Sequence, residues 1–257
     1  KVISNPIQDG IPFVVLRDGD GSESVQFVNE RFMAPPRKMG TIKMHDAESF
    51  ARYWDIHSTT ASQIYGQTEP AQFLAVFDDH KDLHADYRGH RCLFNLKHSQ
   101  EFKSWTGRNR QPFDSNEKFA VWIEDQLTDI INPSGAAMLE MALNFSVTQN
   151  ASFGSGVNLD NGMTAIHYTA EVDGNSKNPT GVVKIPKEFE ISIPVFEGLE
   201  AKFYSFNARF RYRLTSGKLS IWYELVRPHK VVEQAFTDLL NFINEKCGKP
   251  VLFGSPE

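Results

Sequence analysis

Cysteine is nearly missing from this chain: Cys92 and Cys247 are the only two in 257 residues, far apart and in no CxxC pair. A disulfide framework is therefore not expected, and a reducing compartment is the simpler setting. Long apolar runs are missing too, since none approaches the roughly 18 residues that span a bilayer. No signal-peptide pattern follows Lys1, an opening that leaves room for an upstream segment. These absences point to a cytoplasmic setting and away from a membrane partner. Charge of one sign is lacking as well. Lys and Arg number 27 against 32 Asp and Glu, a net −5, which argues against a surface basic all over and leaves room for a local basic face.

Catalytic signatures are equally scarce. There is no GxSxG, GxxxxGK[ST], GxGxxG or HExxH, and Gly154-Ser155-Gly156 fits none of these frames. Cys92 falls inside an apolar run, where a buried thiol is inert. The chain points away from an enzyme, and no cofactor is expected.

What is present is patterning. From Tyr204 to Leu214 the residues alternate, with Phe206, Ala208, Phe210 and Tyr212 on one side and Arg209, Arg211 and Arg213 on the other. A period of two over that length predicts a half-buried antiparallel strand. The alternation resumes after Thr215–Lys218 with Leu219, Ile221, Tyr223 and Leu225, which predicts a long hairpin. Pro228 then suits an early helix position, and Val232, Ala235, Phe236, Leu239, Leu240 and Ile243 form an apolar stripe closed by Gly248 and Pro250. Upstream, Asp46 caps a helix carrying Phe50, Tyr53, Trp54 and His57. Ala71–Phe77 and Arg91–Leu96 read as strands. Asp114 and Glu117 fit a capping box before a helix expected to run through Phe119, Trp122, Ile123, Leu127, Ile130 and Ile131, with a second helix after Asn132-Pro133-Ser134.

Strands followed by helices, without βαβ alternation, predict an α+β fold. The expectation is antiparallel sheet, a central helical pair, and a C-terminal helix packed on a long β-hairpin. Residues 1–40 are expected to be an extended arm, irregular at Ala34–Lys38. Residues 41–257 are expected to be one domain, with a helical insertion at about 98–148 and a β-β-β-α unit at about 182–247. Val172–Gly181 reads as an exposed loop.

Three clusters carry candidate chemistry. Asp78–His90 concentrates acids and imidazoles. On a helix, His80 and His84 would align to ligate a transition metal with Asp79 or Asp86, although Gly89 and the flanking strands suggest a turn. The row Arg209, Arg211 and Arg213, joined by Trp222, has the composition of a single-strand nucleic-acid platform. The hairpin register, however, sets Arg211 opposite Trp222 and Arg209 opposite Glu224, so the arginines can be satisfied within the sheet. Lys103, Arg108 and Arg110 around Trp105 form a second basic patch. It reads as a loop that either binds phosphate or is anchored in the core by the tryptophan.

Several segments resemble the YfdQ-like family, a domain of unknown function carried by tailed phages and prophages. They are Trp105-Thr106, Asn132–Gly135, Phe189–Pro194, Gly248–Pro256, and the pairs Asp79-His80 and His90-Arg91. The resemblance covers roughly residues 35–257 and implies a viral context, with no catalytic residues. Together with the twenty phenylalanines and the arm, it leads us to expect a non-enzymatic protein that self-assembles into a homo-oligomer. The alternatives are a single-stranded nucleic-acid-binding factor in phage replication or recombination, and a metal-dependent hydrolase.

Overall fold

The structure is a computed structural model, and it describes residues 2–4, 13–27, 37–146, 151–158, 162–170, 180–198, 202–216 and 218–256. The first strands, β1 (Val2–Ser4), β2 (Phe13–Arg17) and β3 (Glu23–Phe27), form an antiparallel ribbon in the order β1-β2-β3. The turn at Asp18–Ser22 closes with an Asp18 N–H to Ser22 carbonyl bond of 3.0 Å. Most of the Ala34–Lys38 stretch and the Val172–Gly181 loop lies outside the described residues.

The body begins with β4 (Gly40–Met44) and α1 (Ala47–His57), followed by β5 (Gln63–Thr68), β6 (Ala71–Val76) and β7 (His90–Asn95). Asp46 caps α1, its Oδ1 accepting from Ser49 N–H at 2.7 Å. Three helices follow: α2 (Gln100–Arg108), α3 (Asn116–Asp125) and, beyond β8 (Ile130–Asn132), α4 (Gly135–Ser146). Next come β9 (Ala151–Asn158), β10 (Met163–Ala170) and β11 (Thr180–Pro186), then β12 (Glu188–Ile193). The chain ends with β13 (Tyr204–Thr215), β14 (Lys218–Leu225), α5 (Pro228–Cys247) and β15 (Leu252–Phe253). The fold is α+β, as the patterning predicts.

The middle of the chain departs from the helical pair in three places. Ser99 caps α2, its Oγ accepting from Phe102 N–H, so the segment read as a loop around Trp105 is helical. Ser115 caps α3 one residue later than Asp114, whose carboxylate instead takes the Lys118 ammonium at 2.7 Å. Ile130 and Ile131 leave the helix for β8 because the edge of β12 offers them ladder hydrogen bonds, and β-branched residues suit a strand.

Two sheets organise the body. The antiparallel sheet β14-β13-β12-β8 turns Phe189, Ile191, Phe206, Phe210, Ile221 and Tyr223 inward. Trp105 of α2 covers that face, its ring 5.3 Å from Tyr223 and 5.8 Å from Phe189, and Phe119 of α3 lies 5.7 Å from Phe210. Such edge and offset ring pairs add about 0.5–1.5 kcal/mol each beyond the area they bury. The mixed sheet β15-β5-β6-β7-β4 places its two outer strands parallel to their neighbours. It is covered by α1 and by α5, whose Phe236 stacks on Phe73 at 5.3 Å.

Helix α5 therefore serves more than the hairpin. It meets β13 through the Tyr204 hydroxyl on Asp238, and α1 through Trp54 Nε1–H on the Cys247 carbonyl. A third sheet, β11-β10-β9, closes against the far end of the hairpin, where a side chain at Gly156 would run into the Tyr212 hydroxyl.

Candidate functional site

The outward face of β12–β14 carries the arginine row. The observed register pairs Leu214 with Leu219, Arg211 with Trp222 and Arg209 with Glu224, and extends one pair further to Thr215 with Lys218. Arg209 bonds its direct opposite on β12, and the other two arginines reach diagonally across the hairpin. Arg209 Nε donates to Glu188 on β12 at 2.9 Å, Arg211 Nε to Glu224 at 3.2 Å, and the Arg213 guanidinium lies 5.9 Å from the Trp222 ring. Long side chains on a twisted ribbon reach diagonal neighbours as readily as direct ones. Each guanidinium thus has a partner on the adjacent ribbon, and the face alternates in sign.

The edge of this sheet is closed as well. Residues just beyond α2 run along β14: Arg110 N–H donates to the Tyr223 carbonyl at 2.9 Å and Phe113 N–H to the Ile221 carbonyl at 3.0 Å. Asn109 Oδ1 accepts from Leu225 N–H at 2.9 Å. Within the second basic patch, Trp105 is fully buried, with its indole N–H on Asp129 at 2.8 Å. Burial raises the Asp129 pKa, Glu101 adds to the rise, and the indole hydrogen bond opposes it. Arg108 lies over Phe113, and Lys103 pairs with Glu197 at 2.9 Å.

The segment 78–90 is a turn. Lys81 and His84 exchange backbone hydrogen bonds, so His80 and His84 do not share a helical face. His80 Nδ1 accepts from Asp86 N–H, and the Asp86 carboxylate accepts from Tyr87 N–H. Asp79 is 4% exposed and accepts from Tyr65 Oη, Arg88 Nε and His80 N–H at 2.6, 2.6 and 2.8 Å. Burial alone would raise its pKa, but these hydrogen bonds and the Arg88 charge hold it below the usual carboxylate value. Among the described residues, no group of three or more His, Cys, Asp or Glu side chains stands close enough to hold a metal ion. Burial pushes both thiols, Cys92 and Cys247, up to about 12.

Two clusters have no local signature in the sequence. The first sets His90 beneath α1, its Nε2 2.9 Å from Tyr53 Oη and its ring 5.3 Å from that of His57. His57 Nδ1 in turn lies 3.2 Å from Lys38 Nζ. Burial, with His57 and Lys38 nearby, lowers the His90 pKa, and Asp78 opposes the shift.

The second is a cleft of about 800 Å³ between α2, α5 and the β5–β6 turn. Lys97–Ser99 build one wall by running antiparallel to Val195–Glu197, with bonds from Ser99 N–H to the Val195 carbonyl and from Glu197 N–H to the Lys97 carbonyl. The cleft draws on residues from 68 to 253, so only the fold assembles it.

These observations describe an α+β protein with a charge-paired outer sheet face, a closed edge beside it and one large apolar cleft. The chain belongs to the uncharacterized conserved protein family DUF2303, whose family model matches residues 2–256. No curated protein and no solved structure matches the chain. Among the described residues, no helix is long and apolar enough to cross a membrane.

Proposed function

We propose that this is a YfdQ-like protein encoded by a phage or prophage, acting without catalysis as a homo-oligomer in the cytoplasm of its bacterial host. The observation that carries this reading is the N-terminal ribbon. Of the ribbon residues whose burial is described, Val15, Leu16, Arg17, Glu23, Ser24 and Val25, none belongs to the hydrophobic core or packs against it, and Val25 is 54% exposed. Small β ribbons need a packed apolar face for stability, and here a second copy supplies it. The outer edge of β4 adds to the case. No described strand pairs with it, and Met39 and Ile42 are exposed beside it, an arrangement that invites strand pairing between chains.

Single-stranded nucleic acid ranks second as the partner. Trp222 and Arg213 face outward together, but Glu188 and Glu224 neutralise the two neighbouring guanidiniums. A metal-dependent hydrolase ranks third, because Asp79 is engaged by Arg88 and Tyr65.

Sedimentation velocity across a concentration series tests the first reading. The full chain is expected to run as an oligomer, and Val25→Asp is expected to shift it toward a monomer whose body stays folded. A monomer at every concentration would sink the proposal. Salt-sensitive oligonucleotide binding lost in an Arg209→Ala, Arg211→Ala, Arg213→Ala variant would promote the second reading instead.

A further inference from the structure

The cleft between α2 and α5 has the dimensions and lining of a small-molecule site. Binding cavities typically occupy about 300–1,000 Å³ and combine apolar and aromatic walls with few polar groups. Here the volume is about 800 Å³ and the walls are Leu96, Phe102, Phe196, Phe236, Leu240 and Phe253. Phe253 keeps 61% of its surface exposed while its ring stands 6.3 Å from that of Phe236. The strand-like pairing of Lys97–Ser99 with Val195–Glu197 fixes one wall, and α5 fixes the other.

One polar atom in this wall lacks a partner. The His98 ring lies between Phe102 at 4.5 Å and Phe196 at 5.3 Å, nearly parallel to the latter. Its Nδ1 is buried and has no hydrogen-bond partner among the described residues. A buried polar atom left unpaired carries a desolvation penalty, which a ligand removes by supplying the missing bond once the imidazole turns toward the cleft. Several other polar groups of the lining are already engaged. The Thr106 and Thr237 hydroxyls donate to the Phe102 and Glu233 carbonyls of their own helices, and the Glu233 carboxylate holds Lys230.

Charge narrows the class further. Glu69 and Glu233 line the cleft, and apart from the imidazoles of His98 and His229 no basic side chain does. An anionic ligand would meet the Glu69 carboxylate and a Glu233 already paired with Lys230, with no Lys or Arg in the lining to hold it. We propose that this cleft binds a neutral, flat, ring-bearing small molecule whose hydroxyl group bonds His98 Nδ1 while its rings lie against the phenylalanines. A hydroxyl suits either tautomer of the imidazole, because it both donates and accepts.

Naphthol, naphthalene and naphthoate form a matched probe set: neutral with a hydroxyl, neutral without one, and anionic. Titration of the full chain, followed by probe fluorescence, is expected to show saturable one-to-one binding of naphthol. Naphthalene should bind about five- to tenfold more weakly, the equivalent of one hydrogen bond. Naphthoate should bind more weakly still.

His98→Phe keeps the ring and should erase the difference between naphthol and naphthalene. Val232→Trp, at a half-buried position on α5, should fill the cleft and abolish binding of both. Thermal melting of each variant separates loss of the site from loss of the fold, and the three-probe comparison on the unaltered chain needs no variant. Absent or non-saturable naphthol binding, equal affinity for naphthoate, or unchanged binding by a folded Val232→Trp protein would each overturn the proposal. So would displacement of naphthol as protein concentration rises, because that outcome gives the cleft to a second copy of the chain.

Discussion

Two ribbons in this molecule share one pattern and meet different fates. Both β2–β3 and β13–β14 are antiparallel hairpins. The second lies under a roof of Trp105, Phe119 and Trp122, its edge is closed by Asn109–Phe113, and its outer arginines are partnered along the ribbon. The first has β1 at one side, and none of Val15–Arg17 or Glu23–Val25, its residues of described burial, belongs to the core. Both pair as antiparallel strands. What joins the second to the core is a second layer and a covered edge, and both are supplied by segments distant in sequence.

If layering is what separates the ribbons, removing the roof should cost far more than trimming the ribbon that has none. Trp105→Ala deletes a fully buried ring and the indole hydrogen bond to Asp129, and is expected to cost about 3–5 kcal/mol in denaturant unfolding. Val25→Ala, in the ribbon that has no roof within its own chain, should stay within about 0.5 kcal/mol when the dissociated chain is measured. Equal losses would erase the distinction. The edge cover is smaller in scale. Asn109→Ala leaves the N–H of the buried Leu225 without its acceptor and is expected to cost about 1–2 kcal/mol.

The two ribbons were also unequally legible. Period-two patterning identifies β13 and β14 and their register, because an inward aromatic face leaves a one-residue slip no alternative. The partners of Arg209 and Arg211 were not legible, since the hairpin alone assigns Glu224 to Arg209, whereas β12 offers Arg209 a second direct opposite in Glu188 and leaves Glu224 to Arg211. Helix α2 has a weak sequence signature because it is short and shows only Phe102 and Trp105 as buried signals behind Ser99. The apolar spacing through Ile130 and Ile131 continued a helix that tertiary pairing with β12 converts to strand. The cleft and the His57–His90 pair have no sequence signature at all, being made by elements that meet only in the folded chain.

A pH series sharpens the contrast between the covered body and its surface. The folded His90 has its pKa lowered from the ordinary 6.5. In the pH window below about 6.5 the unfolded chain therefore binds the proton more readily, and stability falls as pH drops from neutrality toward the folded value. Urea unfolding of the native chain should show this decline. His90→Phe, which has nothing to protonate, should lose that part of the slope. An identical slope in the variant would assign the decline to other groups.

The smallest expected effect concerns the arginine ladder, and it decides what that face is for. Arg209 and Arg211 are paired with carboxylates at positions open to water, where an ion pair is worth about 0.2–1 kcal/mol. Arg209→Ala and Arg211→Ala should therefore each cost less than about 1 kcal/mol. Exposed pairs are screened by salt, so these losses should shrink as ionic strength rises. Arg213→Ala removes only a guanidinium near the Trp222 ring and should retain its smaller cost at high salt, because ring contact depends less on screening. A face built to capture a polyanion would behave oppositely. Its unpaired cations would repel one another, so the alanine variants would be more stable than the native chain at low salt. Neutral or positive changes in stability on removing these arginines would thus overturn the paired-ladder reading and move nucleic acid ahead of self-assembly.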